Sequence, residues 1–388
     1  MPGSLLPSVR AVLFLFLGLA IALPGAGRGA DAAPTYESPA RAAILIEAAT
    51  GQALFAKNAD EALPPASMSK LMTAYMVFER LKEGSLSLDD TFPVSEKAWR
   101  KQGSKMFVAV GTRVAVGDLL QGIIVQSGND ACIVVAEGLA GSEEAFAERM
   151  TRRAREIGLS NSTFRNASGW PDPEHRMSVR DLALLAHMII EQFPEYYHYY
   201  SQDEFEYNGI KQRARNPLLS AGIGADGLKT GYTEEAGYGL VASAVRDGRR
   251  LIMVITGLAS AAERARESER LLEYGFREFS LYPLFAAGDV VEQAEVWLGD
   301  AGTVPLVPER DVALTLSREA RRDLQVTVAY DSPVPAPIAA GTRVADLVVT
   351  APGMEPIAVP LVAGRTVRGA GFVGRMTGAL GYLLWGPS

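Results

Sequence analysis

Apolar residues along this chain follow two periods, and each period predicts a different kind of element. Continuous apolar runs at residues 43–46, 239–244 and 251–255 are typical of buried β-strands. Between residues 71 and 81 the apolar side chains recur three and four positions apart, which predicts a helix that ends near Gly84. The chain therefore combines strands and helices.

A second helix is indicated by the polar residues at its start. Ser178 and Asp181 have the spacing of a capping box, and the helix that follows is expected to end near Pro194. Strand-like and helical segments alternate in this way from Pro39 to about Phe279. This part of the sequence favours a mixed α and β domain.

From Tyr282 onward the apolar pattern changes to a period of two, helical spacing disappears, and proline and glycine become frequent. The alternating residues that predict strands are Val312, Leu314, Leu316, Leu324, Val326 and Val328. We interpret residues 282–362 as a small β-rich domain, with a sandwich as its expected architecture. Because it carries no group of residues suited to catalysis, we expect it to act as a spacer or as a platform for a partner.

The N-terminal segment has the pattern of a cleaved secretory signal peptide. Arg10 precedes an uncharged apolar run over residues 11–23, and Pro24 with a Gly/Ala-rich stretch follows. The run is shorter than the roughly 20 residues that a transmembrane helix needs. We predict a signal peptide over residues 1–32, with cleavage after Ala32, and export to the outer, periplasmic face of the cytoplasmic membrane.

The C-terminal segment, residues 363–388, predicts an amphipathic helix that attaches to a membrane surface. Its apolar residues on one helical stripe are Phe372, Met376, Ala379, Leu380, Leu383 and Leu384. Such a stripe, with Trp385 near its end, suits a helix lying in the membrane interface. Glycines at positions 374, 378 and 381 weaken a helix in water, so a helix docked on the protein itself and an unstructured tail remain alternatives.

Length and composition narrow the range of functions. With 388 residues, 48% of them hydrophobic, the chain can build a large core and is expected to form two domains. The net charge of -7 and the pI near 5.3 argue against nucleic acid as a partner. The single cysteine, Cys132, excludes an intramolecular disulfide and is expected to be an inert core thiol. His175, His187 and His198 lack the spacing of metal ligands, so we expect no metal and no cofactor.

Three short signatures stand in one order along the chain, and each occurs once. They are Ser-Met-Ser-Lys at 67–70, Ser-Gly-Asn at 127–129 and Lys-Thr-Gly at 229–231. By average residue usage, a Ser-x-x-Lys arises by chance roughly once in a chain of this length, whereas a Lys-Thr-Gly arises only a few times in about a hundred such chains. The ordered triple is therefore a strong signal of shared chemistry.

The first signature has the composition of an activated nucleophile. Ser67 follows Pro64 and Pro65 and is expected to open the predicted helix. A serine hydroxyl needs a neighbouring base, and Lys70 follows Ser67 by three positions, which places both side chains on one face of this helix. A lysine amine is a base only when it is neutral, and burial or a second cation favours that form. Lys229 is the candidate for this second cation.

The other two signatures supply a proton relay and a site for a carboxylate. Ser127 is expected to lie between Lys70 and Lys229 and to pass a proton toward a leaving group. Lys229 and Thr230 offer hydrogen-bond donors to a carboxylate. Gly231 is expected to let the substrate backbone lie close against an edge strand.

The chain resembles the penicillin-binding serine acyltransferases, and among them the low-molecular-mass D-alanyl-D-alanine carboxypeptidases. The resemblance extends from about Tyr36 to the C-terminus. The resemblance includes the residues around the three signatures, at 65–73, 125–131 and 227–233. It also includes further segments at 166–172, 178–181, 236–238 and 240–244. It implies an α+β fold of the β-lactamase/transpeptidase type, an antiparallel sheet flanked by helices, over residues 33–281.

The resemblance also implies roles for single residues. Ser67 would be the acylated nucleophile with Lys70 as its general base, and Ser127 and Asn129 would form the second motif. Lys229 and Thr230 would hold the terminal carboxylate of the substrate.

Two further residues are assigned by the resemblance alone. The backbone N–H groups of Ser67 and Tyr232 would form the oxyanion hole, and Arg264 matches a basic position near the substrate carboxylate. Tyr232 stands where close relatives often carry histidine, which affects the side chain at that position but not the backbone group.

The expected function is a secreted, membrane-associated D-Ala-D-Ala carboxypeptidase that acts on peptidoglycan pentapeptides and is acylated by β-lactam antibiotics. A D,D-endopeptidase would use the same residues. A β-lactamase needs an efficient deacylating base, and no Glu-x-x-Leu-Asn stretch occurs between Asn129 and Lys229. A catalytically idle wall-binding protein would have no need of paired lysines beside a serine.

Overall fold

The computed structural model describes residues 36–351 and 356–371. The predicted signal peptide, residues 1–32, and the predicted apolar stripe that starts at Phe372 lie outside the described residues. The chain divides into two compact units between Arg277 and Glu278. We describe each unit by itself.

The first unit contains nine of the strands and eight of the helices of the described chain. Its strands are β1 Ala42–Glu47, β2 Ala53–Lys57, β3 Thr91–Pro93, β4 Arg113–Ala115, β5 Glu204–Tyr207, β6 Ile210–Arg213, β7 Ala225–Thr233, β8 Gly237–Arg246 and β9 Arg249–Leu258. Its helices are α1 Lys70–Lys82, α2 Glu96–Arg100, α3 Val116–Ile124, α4 Asn129–Ala140, α5 Glu143–Glu156, α6 Val179–Gln192, α7 Pro194–Tyr197 and α8 Ala261–Glu278. Short 3-10 turns occupy Ala66–Ser69, His198–Ser201 and Pro217–Ser220.

Within the described residues, an antiparallel sheet of five strands in the order β2-β1-β9-β8-β7 forms the centre of this unit. The three apolar runs predicted as strands are confirmed as parts of β1, β8 and β9. Ile44 and Ile46 of β1 join a core that includes residues of α1 and α6, whereas Leu45 lies against Gly275 of α8. Because helices cover both faces, these strands are continuously apolar rather than alternating.

The first predicted helix is confirmed as α1, with a corrected start. It begins at Lys70, and Ser67 lies before it in the 3-10 turn Ala66–Ser69, which we call the Ser67 turn. The turn starts at Ala66, whose φ of 48° is left-handed, so the chain reaches helical geometry only after it. The helix ends at Lys82, and Gly84 follows with a φ of 72°.

The second predicted helix is confirmed as α6, but its capping box is only half formed. The Ser178 side chain accepts a hydrogen bond from the Asp181 N–H at 3.1 Å. The Asp181 carboxylate does not return to Ser178; it accepts instead from the backbone N–H of Asn161 at 2.8 Å and the hydroxyl of Ser162 at 2.6 Å. A tertiary contact thus replaces the second local hydrogen bond.

The second unit is β-rich, as predicted. Its strands are β10 Phe279–Phe285, β11 Glu292–Trp297, β12 Thr303–Pro308, β13 Val312–Ser317, β14 Gln325–Ala329, β15 Val334–Pro335, β16 Arg343–Thr350 and β17 Ile357–Ala363. In the described part, six strands form a sheet in the order β14-β16-β17-β12-β11-β15, and β10 pairs with β13. Helical structure does not disappear entirely, because the short helix α9, Arg318–Arg322, follows β13 with Ser317 as its N-cap.

The end of this unit lies later than the sequence pattern indicated. Residues 363–371, which we had assigned to the terminal helix, belong to the β-rich unit. Val367 is fully buried and forms a β-bridge with Ile338, and Gly369 forms one with Gly299. Apolar burial therefore continues up to the end of the described chain.

Gly169 makes the tightest backbone approach in the first unit. It has a φ of 76°, and a Cβ added there would lie 1.8 Å from the carbonyl oxygen of Ala66 in the Ser67 turn. Gly141, at the end of α4, has a similar φ of 81° with nothing within 4 Å of an added Cβ. An alanine at either position must adopt a left-handed backbone, but only an alanine at Gly169 also clashes with a neighbouring segment.

We predict that Gly169→Ala destabilises the protein far more than Gly141→Ala. Both pay the backbone cost of about 1 kcal/mol, but only Gly169→Ala must also displace the Ser67 turn, at a further cost of about 3 kcal/mol. Urea unfolding followed by circular dichroism measures the difference. Equal losses of stability in the two variants would contradict the packing described here.

Candidate active site

The Ser67 turn stacks the first two predicted site residues directly on each other. In a 3-10 turn, side chains three positions apart eclipse, and Lys70 follows Ser67 by three. The Lys70 Nζ lies 2.8 Å from the Ser67 Oγ. The predicted contact between this serine and lysine is therefore present in the structure.

Lys70 is surrounded by acceptors in a buried position. Only 1% of its surface is exposed. Besides approaching Ser67, its Nζ donates to the Oδ1 of Asn129 at 2.8 Å and to the backbone carbonyl of Ser168 at 2.7 Å. The amine is thus fixed in direction by groups from three different segments of the chain.

Burial is the largest cause that lowers the pKa of Lys70 to about 8, and the nearby cations Arg215 and Lys101 contribute to this value. Lys229, predicted as the second cation, is also electrostatically coupled to Lys70, because repulsion between two amines acts on both of them. The pKa of Lys229 is itself held well below its usual value, first by burial and then by Lys70 and Arg215. Both lysines are therefore poised to be neutral more readily than a lysine in water.

The second signature lies at the start of α4. The amide of Asn129 is oriented from both sides, since its Nδ2 donates to the carbonyl of Gln102 at 2.9 Å while its Oδ1 faces Lys70. Asp130, which is fully buried, accepts hydrogen bonds from the backbone N–H groups of Met106, Phe107 and Val108. Asp130 thereby holds the segment that orients Asn129.

Ser127 contacts the third signature rather than the first. Its Oγ accepts from the Nζ of Lys229 at 3.0 Å, and both residues are buried. Its backbone is left-handed, with a φ of 61°. Lys70 is thus hydrogen-bonded to Asn129 of the second signature, and Lys229 of the third signature is hydrogen-bonded to Ser127.

The third signature lies on β7, which is an edge strand of the sheet, as expected. The protein's own packing also requires Gly231 there. An added Cβ would lie 2.9 Å from the carbonyl oxygen of Pro65 and 3.1 Å from the Cγ of Met68. The glycine therefore allows β7 to approach the Ser67 turn, so its small size is needed by the protein's own packing.

The remaining predicted residues lie beside the same strand. Tyr232 is half exposed, and its ring lies 4.2 Å from that of Tyr238. Arg264, on α8, lies over the Tyr238 ring at 5.8 Å and contributes to the lowered pKa of Lys229. Burial also lowers the pKa of Arg264. Arg264 is thus within electrostatic reach of the third signature.

Several groups at the site were not found from the sequence. Arg215 lies in a polar loop, donates to Ser104, and lines the same cavity as Lys229 and Thr230. Lys101 lies over the ring of Trp170 at 4.2 Å. Neither cation has a fixed spacing to a signature, so no local pattern could have revealed them.

The predicted core thiol is buried as expected. Cys132 has no exposed surface, and burial raises its pKa to about 12. In the part of the chain that the structure describes, no group of at least three His, Cys, Asp or Glu side chains is placed to hold a metal ion.

Two family profiles match this chain, one in each of its two units. A profile of the D-alanyl-D-alanine carboxypeptidase family matches residues 29–260, and a profile of the penicillin-binding protein 5 C-terminal domain matches residues 279–368. The D-alanyl-D-alanine carboxypeptidase DacC of Escherichia coli (strain K12) is 38% identical over 378 residues, covering 94% of this chain and 92% of the relative.

Solved structures agree with the sequence comparison. Penicillin binding protein 5 from Haemophilus influenzae matches with a TM-score of 0.81 and 34% identity, covering 87% of this chain and 100% of that one. Penicillin-binding protein D2 from Listeria monocytogenes in its ampicillin-bound form matches with a TM-score of 0.57 and 33% identity, covering 61% of this chain and 98% of that one. The predicted fold class is confirmed.

The fold and the paired serine and lysine define a penicillin-binding serine peptidase with an additional β-rich unit. Full-length similarity then narrows the class. The chain belongs to the D-alanyl-D-alanine carboxypeptidase family.

Proposed function

We propose that this chain is a serine-type carboxypeptidase that removes the terminal D-alanine from peptidoglycan pentapeptides through an acyl-enzyme on Ser67. The observation that carries the proposal is the 2.8 Å approach of a buried lysine amine with a lowered pKa to the Ser67 hydroxyl. The names of the relatives support the choice of substrate.

The acceptors around Lys70 give its neutral amine one useful orientation. A neutral amine has two N–H groups and one lone pair. The Asn129 Oδ1 and the Ser168 carbonyl are acceptors, so they take the two N–H groups, and the lone pair points at Ser67. Lys70 then takes the hydroxyl proton as Oγ attacks the carbonyl carbon between the two D-alanines.

The developing oxyanion and the substrate carboxylate need donors on opposite sides of Ser67. We assign the oxyanion to the backbone N–H groups of Ser67 and Tyr232. The carboxylate is assigned to the hydrogen-bond donors of Lys229 and Thr230 and to the guanidinium of Arg264, which is within electrostatic reach of Lys229.

Collapse of the tetrahedral intermediate breaks the C–N bond, and the departing amine must gain a proton. We assign this transfer to Ser127, whose hydroxyl is hydrogen-bonded to Lys229 in the buried site. Its hydroxyl gives its proton to the amine and receives in exchange the proton that Lys70 took from Ser67, so that Lys70 is neutral again. Water then attacks the acyl-enzyme, with Lys70 again as base, and releases the shortened peptide. β-Lactams would acylate Ser67 as substrate mimics, in keeping with the ampicillin-bound relative.

We predict that the chain from Ala33 releases D-alanine from diacetyl-Lys-D-Ala-D-Ala and is labelled stably by a fluorescent penicillin. Ser67→Ala should abolish both signals, since no other hydroxyl occupies that position. Mass spectrometry of the labelled protein and an assay of free D-alanine measure the two outcomes.

The alternatives give different results in the same experiment. Label that clears quickly while penicillin is hydrolysed would indicate a β-lactamase, and cleavage of cross-linked dimers would indicate an endopeptidase. If folded wild-type protein gives neither label nor D-alanine, the proposal is wrong and an idle wall-binding protein becomes the better interpretation.

Acylation should rise with pH and level off above about pH 8. The neutral form of Lys70 is the base, and its pKa of about 8 means that protonation removes the base as the pH falls below that value. The rate of penicillin labelling between pH 6 and 9.5 measures the midpoint.

Arg215→Gln supplies the matched control for this titration. Removing a cation that lowers the pKa of Lys70 should move the midpoint to higher pH. A rate that stays flat from pH 6 to 9, or a midpoint that Arg215→Gln moves downward, would contradict Lys70 as the base.

We also propose that the mature chain works in the periplasm and is attached to the membrane by its C-terminal segment. The support is the sequence pattern at both ends together with the place of peptidoglycan outside the cytoplasmic membrane. No helix in residues 36–351 or 356–371 is long and apolar enough to cross a membrane. We assign the attachment to the predicted apolar stripe that starts at Phe372.

Removal of residues 372–388 should move the protein from the membrane pellet to the soluble fraction. Ending the chain after Gly371 keeps the buried Val367 and Ala370 in place, so the β-rich unit is not disturbed. Full-length Leu380→Glu, which places a charge on the apolar stripe, should reduce attachment in the same direction. Retention of the truncated chain in washed membranes would exclude this segment as the anchor.

A further inference from the structure

The carbonyl that orients Lys70 belongs to a loop that the three signatures do not include. This loop, residues 165–175, contacts the start of α1 at successive points. Thr73 Oγ1 donates to the carbonyl of Ala167 at 2.6 Å, Lys70 Nζ donates to that of Ser168 at 2.7 Å, and Gly169 packs on the Ser67 turn. We call it the Ser168 loop.

His175 closes this loop and ties it to the Ser67 turn. Its Nδ1 accepts a hydrogen bond from the backbone N–H of Arg165 at 3.3 Å, which joins the two ends of the loop. Its Nε2 lies 2.8 Å from the Oγ of Ser69, two positions after Ser67. The ring is 2% exposed and stands edge-on to Phe164 at 5.4 Å.

These contacts specify one tautomer of the imidazole. Because Nδ1 accepts from Arg165, the ring hydrogen lies on Nε2, which donates to Ser69. The neutral form also suits the surroundings, since burial lowers the pKa of His175 to about 4. The ring is therefore held in one position by two hydrogen bonds, in one of which it is the donor and in the other the acceptor.

We propose that His175 is a positioning residue for acylation: by tying the Ser168 loop to Ser69, it holds the Ser168 carbonyl where that group directs the lone pair of Lys70 at Ser67. The inference rests on the proposed role of Lys70 as the base. His175 touches neither reacting atom, so its effect is transmitted through the loop.

The role predicts a loss of rate without a loss of substrate affinity. If the Ser168 carbonyl moves, Lys70 can rotate and its lone pair leaves the line to Ser67, while Lys229 and Thr230 still bind the carboxylate. A misplacement of this kind lowers kcat between about 10-fold and 100-fold. Because Lys70 is the proposed base of both acylation and deacylation, both steps slow together, and KM for the D-Ala-D-Ala peptide should stay unchanged.

Three variants of the full-length mature protein test the hydrogen bonds of His175: His175→Phe, Ser69→Ala and the double variant. His175→Phe keeps the ring shape but removes both hydrogen bonds, and Ser69→Ala removes one of them by a smaller change. Steady-state kinetics are measured on diacetyl-Lys-D-Ala-D-Ala, with active sites counted by penicillin labelling so that unfolded molecules do not enter kcat.

A matched control removes a different buried serine hydroxyl. Ser162 donates to Asp181 of α6 at 2.6 Å, so Ser162→Ala should lower stability while kcat per labelled site stays at the wild-type value. The proposal expects a lowered kcat with unchanged KM in both single variants, and a double variant no worse than His175→Phe.

The same kinetic measurements can also overturn the proposal. Wild-type kcat per labelled site in Ser69→Ala and His175→Phe, or a loss confined to KM, would reduce His175 to a stabilising residue. Wild-type protein that releases no D-alanine would instead refute the proposed function and would be visible before any variant is compared.

Discussion

The site depends on one interaction, the enclosure of the buried Lys70 amine by hydrogen-bond partners from three segments of the chain. Burial alone would make an ammonium group costly, and it lowers the pKa of Lys70 to about 8. The hydrogen-bond partners of this amine come from the Ser67 turn, from Asn129 at the start of α4 and from the Ser168 loop. Three segments distant in sequence must therefore fold together before this amine is a base.

The parts of this arrangement that are local in sequence could be predicted. The pairing of Ser67 with Lys70 follows from a spacing of three, and the buried strands β1, β8 and β9 follow from continuous apolar runs. Helix starts were less certain, since a left-handed Ala66 delayed α1 and a tertiary contact replaced half of the capping box. Local sequence patterns therefore predict a helix start correctly unless a residue distant in sequence forms a competing hydrogen bond.

The parts that depend on approach in space could not be predicted. A backbone carbonyl such as that of Ser168 has no signature in a sequence, and the effect of Arg215 on Lys70 depends on distance alone. The need for a small residue at Gly231 was predicted for an approaching substrate, whereas only the fold shows that Pro65 and Met68 also occupy the space beside it. Each omission concerns contacts between segments far apart along the chain.

The burial of the single cysteine, Cys132, has a consequence for its reactivity. Thiolates, not thiols, react with oxidants and alkylating agents, and burial raises the pKa of Cys132 to about 12 while leaving it no exposed surface. The native protein is therefore shielded from sulfenic acid formation and from mixed disulfides without needing a second cysteine. Since Cys132 lies inside the helical core beside Lys70, it becomes reactive only when that core opens, and so it reports on the integrity of the catalytic unit.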